Sequence, residues 1–271
     1  MRWVTATPSR RGALLMGGLP LLVLALGYVI ASAARHADNP ADKILPLPGA
    51  MATAMAGLVF QADPLSGQYL FWADTLASLM RLGAGLGIAT LSALLVGLVL
   101  GALPPVRATL GPLVTAIAVI PPVALLPVLF IVLGLGETAK VALIVIGIAP
   151  FMIRDMAGHI AALPREQVVK ALTLGANSWG VVLRVALPQA LPRLVEGLRL
   201  SLGPAWVFLI SAEAIAADVG LGYRIFLVRR YLAMDVILPY VAWIALLAVA
   251  MDFILSRGSR RLFGWAHLGA R

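Results

Sequence analysis

The sequence predicts an all-α, polytopic membrane protein with about six transmembrane helices, and three observations carry that expectation. Of 271 residues, 61% are hydrophobic and only 12% are charged, against roughly a quarter charged in a soluble domain. Apolar runs approaching the length needed to cross a hydrocarbon core recur along the chain. The basic residues behind the net charge of +9 lie scattered between those runs. They do not cluster with aromatics as a nucleic-acid surface requires, so the bilayer is the expected partner and nucleic acid is not. With no cysteine there are no disulfides or thiolate metal sites. His36, His159 and His267 show no ligand spacing.

In chain order, Arg2, Arg10 and Arg11 precede an apolar run from Gly12 to Ala34. At about twenty residues it is longer than the ~7–15 of a signal-peptide core, so a first transmembrane helix is expected. Arg35 to Leu47 is polar and proline-bearing, a loop. Met51 to Phe60 is too short to span, and reads as an interfacial or re-entrant helix. No charge interrupts the interval between Arg81 and Arg107, the second span, whose glycines at 83, 85, 87, 97 and 101 let neighbouring helices approach. The third apolar region, Ala108 to Gly136, contains Pro121, Pro122 and Pro127. Freed backbone carbonyls cannot face lipid, so this broken segment is expected to be buried among helices or to line a cavity. Either a kinked packing helix or a candidate pathway or gate fits that pattern.

Three further stretches, Val141–Ile153, Leu200–Ala212 and Val236–Met251, are uncharged but short. Each reaches ~20 residues only by taking charged residues into its ends, where side chains snorkel or pair. The second half of the chain is therefore expected to form the inward core and the first helix to face lipid. Glu213, at the end of the fifth span, is a candidate pathway residue because a carboxylate at membrane depth is costly. Pairing with Arg224 or Arg229 is the plainer alternative.

With the N-terminus inside, thirteen lysines and arginines fall on the inner segments and six on the outer, Arg81 and Arg199 standing at span ends. The positive-inside rule then expects both termini in the cytoplasm.

Between the fourth and fifth spans lies Arg165 to Pro192, which no bilayer would hold. It reads as two short amphipathic helices. Val168 and Leu172 share one face, and Trp179, Val182, Leu183 and Leu187 another. Gly175 suits the positive φ that ends a helix, Asn177 or Ser178 suits the next cap, and Pro188 is expected to stop the second helix. Such a hairpin either docks into a partner's groove or packs on its own membrane helices.

No catalytic constellation is present. The chain has no Gly-x-x-x-x-Gly-Lys-[Ser/Thr] loop to hold a nucleotide and no Ser/His/Asp set, so it is not expected to be an enzyme. A secondary transporter or channel would call for buried ionisable relays or an internal repeat, neither of which stands out.

Gly175, nine residues, Val185, one residue, then Leu187-Pro188 resembles the Glu-Ala-Ala-x3-Gly-x9-Ile-x-Leu-Pro pattern of permease subunits of bacterial ABC importers. Ala171 takes the second alanine position, while Val169 and Lys170 replace the motif's glutamate and first alanine. Ser78, Arg81 and Gly85, the run IPPVALLPVLFIVLGLGETAK at 120–140 and SAEAIAADVGLGY at 211–223 resemble the nitrate/sulfonate/taurine group. The resemblance implies a type I importer permease fold, with a core at 75–260, an N-terminal tail, first helix and linker at 1–74, and a tail at 261–271. It implies a multi-pass protein of the bacterial inner membrane that works as a homodimer. Two cytoplasmic ABC ATPase subunits would carry ATP and magnesium, leaving this chain no cofactor of its own, and a periplasmic binding protein would deliver a small nitrogen- or sulfur-containing solute. The loop holding Val169, Lys170, Ala171, Gly175, Ala176, Trp179, Val185, Leu187 and Pro188 would be the coupling element against the ATPase.

Overall fold

The computed structural model describes residues 9–266, and every regular element among them is helical. The helices are α1 (Arg10–Asp38), α2 (Pro48–Phe60), α3 (Leu70–Ala102), α4 (Pro104–Val119), α5 (Leu126–Leu133), α6 (Glu137–Ala161), α7 (Arg165–Thr173), α8 (Ser178–Val181), α9 (Leu187–Ala216), α10 (Leu221–Arg229) and α11 (Met234–Leu262). Five stretches are long and apolar enough to cross a membrane. The pair α4 and α5, bent by 86° at the break around Pro121 and Pro122, is either a sixth, broken span or a re-entrant loop. Arg2 lies outside the described residues.

The chain divides into two compact units, residues 1–69 with 228–241, and 70–227 with 242–271. In the first, the loop after α1 is pinned back onto that helix. Tyr28 Oη donates to the Pro46 carbonyl at 2.7 Å, and Ser32 Oγ to that of Leu45 at 2.9 Å. Arg35 pairs with Asp42, and its guanidinium holds the Asp42 carboxyl below the usual carboxylate range.

In the second unit the core is α3, α6 and α9. Its construction is visible in α3, where Gly85, Ala89, Ala93, Gly97 and Gly101 recur every fourth residue and are all buried. One helical face thus carries almost no side chain, so another backbone can come close. The facing ridge on α6 is large at the same period: Ile144, Ile148, Met152, Met156 and Ile160. A Cβ placed on Gly85 would lie 2.6 Å from Ile144 Cγ2, on Gly97 2.8 Å from Met156 Cβ, and on Gly101 2.6 Å from Ile160 Cβ. The partners advance in step, so α3 and α6 run parallel, as alternate spans of a membrane bundle must. Gly83 and Gly87 have nothing within 4 Å and take no part in the ladder. Of the five glycines of this span, three carry the packing. Between α6 and α9, Gly147 admits the ring of Phe208, and α5 adds Leu126 against Leu143 and Ala212.

The short apolar stretches lengthen into spans by pairing their charges. Arg193 on α9 forks onto Asp155 of α6 at 2.5 and 2.8 Å, and Arg199 onto Asp252 of α11 at 2.8 and 3.1 Å. Two expectations need correction. The core is not confined to the second half, since α3 is central to it. Nor does Pro188 stop a helix. Residues 182–186 widen into a π turn, closed by Leu187 N–H donating to the Val182 carbonyl, and α9 continues through the proline. The wider turn makes room for a ring that would clash with the carbonyl four residues back and that has no N–H to offer it.

Candidate functional site

Two constructions stand at opposite ends of α9. At its start is the α7–α8 hairpin. Gly175 takes φ +87°, Ala176 N–H donates to the Ala171 carbonyl at 3.0 Å, and Gly175 N–H to the Leu172 carbonyl at 3.0 Å. These two bonds are the Schellman closure of a helix end, which requires the left-handed residue that glycine supplies without strain. Asn177 then caps α8, its Oδ1 accepting from Gly180 N–H at 2.7 Å. Gln189 Nε2 donates both to Gln167 Oε1 at 2.9 Å and to the Val185 carbonyl at 3.0 Å, tying α7 to the start of α9.

The spacing of Ala171, Gly175, Ala176 and Val185 is thus a set of hydrogen bonds that fixes the hairpin's shape. Val182, Val185 and Leu187 are half-buried and Ala186 is buried, while Pro188 is exposed. Leu174 is 80% exposed and Trp179 67%, and Val169, Lys170, Leu172 and Leu183 also lie open. Part of the hairpin therefore packs on its own chain, with Trp179 beside an apolar cavity of about 180 Å³ against Leu98, Val99 and Leu103. A strip of apolar side chains is left uncovered.

At the far end of α9 is a polar network, buried except for Glu137, that joins α3, α6, α9, the turn before α10 and the start of α10. Glu213 is fully buried. Its carboxylate accepts from Arg81 Nη1 at 2.7 Å, from Gly222 N–H at 2.9 Å, and from Ser78 Oγ, which lies 2.8 and 2.9 Å from the two oxygens. Leu221 N–H in turn donates to Ser78 Oγ at 2.9 Å. Arg81 also donates to the Val219 carbonyl at 2.7 Å and forks onto Glu137, the first residue of α6, at 2.5 and 2.8 Å. Lys140, buried, reaches the same carboxylate at 2.9 Å. Asp74 holds Arg224 at 2.7 Å and accepts from Gly220 N–H at 2.9 Å. Gly220, with φ +138°, lies so close that a Cβ would come within 2.6 Å of the Glu213 carboxyl carbon.

Arg81, Lys140 and Arg224 balance Asp74, Glu137 and Glu213. A neutral, hydrogen-bonded set is how charges survive at membrane depth. The partner of Glu213 is Arg81, and Arg224 is taken by Asp74. Sequence reasoning named Glu213 and noted Arg81, but missed Asp74, Glu137 and Lys140. The usable signal was Arg81 itself, a cation opening a long uncharged interval and so in need of a carboxylate from another span end. The prolines of the break make none of this network's hydrogen bonds: Pro121 and Pro127 are exposed and Pro122 is half-buried. Among the described residues no group of His, Asp or Glu could hold a metal ion.

The sequence model for the binding-protein-dependent transport system inner membrane component family matches residues 93–263. The taurine transport system permease protein TauC of Escherichia coli K12 is 38% identical over 195 residues, 72% of this chain and 70% of that one. A bicarbonate transport system permease protein, CmpB of Synechococcus elongatus, is 30% identical over 68% of this chain and 66% of its own length. Among solved structures, inward-facing MetNI methionine ABC transporter has a TM-score of 0.59 at 21% identity, covering 72% of this chain and 95% of that one. A bacterial ABC transporter importing alginate has a TM-score of 0.61 at 15% identity, covering 94% and 100%. At those identities the two structures speak for the fold.

Proposed function

Since the chain belongs to the binding-protein-dependent transport system inner membrane components, the permease subunits of ABC importers, we propose that it moves a small sulfonate- or taurine-like solute into the cytoplasm by alternating access. In this reading two copies form the path, two ATPase subunits bind ATP and magnesium beneath them, and a periplasmic binding protein delivers the solute. Both termini lie in the cytoplasm, supported by the thirteen-to-six distribution of basic residues. The solute class is supported by the names of the relatives, taurine first and aliphatic sulfonates among them.

The observation that carries the mechanism is the hairpin. Its backbone is fixed at both ends, by the Gly175 closure and the Gln167–Gln189 tie, while Val169, Leu172, Leu174, Trp179 and Leu183 stay exposed. A shaped apolar strip in a chain with no nucleotide loop of its own suits a groove on a separate ATPase. Movement of that groove is passed to α9 through the continuous helix from Ser178 to Ala216. Pro121, Pro122 and Pro127 border the path, and Glu213 serves as a latch whose partners exchange when α9 swings.

The test is assembly with an ABC ATPase subunit co-expressed with the chain. The two should co-purify in fixed stoichiometry and show ATP hydrolysis stimulated by loaded binding protein. Trp179→Ala should cut that stimulation roughly tenfold or more, as loss of a buried aromatic anchor does. Lys170→Glu should weaken assembly if Lys170 meets an acidic residue of the ATPase. Solute uptake that persists without any ATPase would overturn the proposal in favour of a secondary transporter.

A further inference from the structure

On the hairpin side of the second unit, where α3, α4 and α6 meet, lies a cavity of about 340 Å³ lined by Leu100, Val114, Ile153 and Ala157 together with Arg107 and Arg154. Its walls are mostly apolar, yet two guanidinium groups line it and no carboxylate does. Arg107 is held in place by α3, its Nε donating to the Leu100 carbonyl at 2.9 Å and its Nη2 to that of Gly101. Arg154 is exposed and makes no ion pair among the described residues. Arg193 and Arg199 on α9, by contrast, are each forked onto carboxylates. Two cations without counter-ions beside an apolar cleft in a membrane protein call for a ligand with an anionic head and a hydrocarbon tail.

The geometry points to a specific site for an anionic phospholipid of the leaflet on the hairpin side. Its phosphate would sit between Arg107 and Arg154, and an acyl chain would run along Leu100, Val114, Ile153 and Ala157. A free phosphate would meet the same guanidinium groups but gain nothing from those walls. The cavity also has a mechanical position. Arg107 ties the end of α3 to α4, and α6 leads directly into α7, so an occupant braces the helices immediately behind the hairpin.

The assay uses the full chain assembled with its ATPase, in mild detergent, offered phosphatidylglycerol and phosphatidylcholine of identical acyl chains and read by native mass spectrometry. Phosphatidylglycerol should be retained with a roughly tenfold or greater preference, the scale expected of one to two basic groups meeting an anionic head. Arg154→Gln, a change on an exposed side chain, should remove most of that preference at an unchanged melting temperature. Gly158 also lines the cavity, and a Cβ there meets nothing within 4 Å, so the ring of Gly158→Phe has room to enter. It should fill the cavity and abolish retention of both lipids. Equal retention of the two lipids by the unaltered protein, or an undiminished preference in Arg154→Gln, overturns the site. So does displacement by excess inorganic phosphate, which marks a free-anion site. Disulfide linking of two copies through Gly158→Cys in the bilayer also overturns it, because a second copy then covers the cleft.

Discussion

Glu213 and Arg81 show how a charge is held at membrane depth. Each oxygen of the Glu213 carboxylate is met by donors from α3 or from the turn at 220–222, and Arg81 spends its donors on two carboxylates and a carbonyl. Removing Arg81 strands the buried Glu213 without a cation, which costs about 3–5 kcal/mol, whereas removing Glu213 leaves Arg81 still forked onto Glu137. Glu213→Gln and Arg81→Gln should each lower the midpoint of thermal unfolding in detergent. The double variant should be less destabilised than the sum of the two, because neither charge is then left alone. Strict additivity would dissolve the pair as an energetic unit. Glu137 keeps a second cation, Lys140, so Arg81→Gln should be the milder change at that carboxylate.

At the scale of elements, the α3–α6 ladder is the feature most exposed to a direct test. Gly97→Leu would drive a side chain into Met156 and the Ile153 carbonyl, whereas Gly83→Leu and Gly87→Leu enter open space. The first should cost a few kcal/mol by overpacking and reduce the folded yield in membranes severely. The other two should leave both yield and unfolding midpoint near the unaltered values. Equal damage from all three would mean that α3 is simply intolerant of bulk. The glycines could be read from the sequence as close-approach positions, but which of them approach anything could not. Adding Ala89 and Ala93 to Gly85, Gly97 and Gly101 reveals the four-residue period, and the matching period of large residues on α6 then supplies the partner. The hairpin was legible in finer detail, because a Schellman closure and an Asn cap are local and depend only on neighbouring residues. The π turn was not, because whether Pro188 ends a helix or is absorbed depends on how the following span continues.

For the molecule as a whole, the 86° break is the part that one chain leaves incomplete. Around it Ile120, Val123, Val128, Ile131 and Val132 are exposed, with Leu126 alone buried. Irregular backbone is not tolerated against lipid, so the break faces either a second copy or water. The sequence contains no cysteine, which makes the distinction simple to measure. Val123→Cys and Val128→Cys should either form disulfide-linked dimers in the membrane or react with a water-soluble maleimide. A residue inert to both would lie against lipid and would contradict a pathway at the break.

Composition, apolar run length and local turn chemistry determined the class of the protein, its five to six candidate spans, the position of the hairpin and the residues that close it. Those features depend on contacts with solvent, lipid or near neighbours, and a linear chain displays them. Only the tertiary structure decided that Glu213 pairs with Arg81 and Asp74 with Arg224, that three of five glycines carry the packing, and that α3 is central to its unit. Each of these depends on residues tens to more than a hundred positions apart in sequence. Several cations and carboxylates at the span ends satisfied the same need for a counter-ion equally well, until the register of the helices brought particular ones within hydrogen-bond distance.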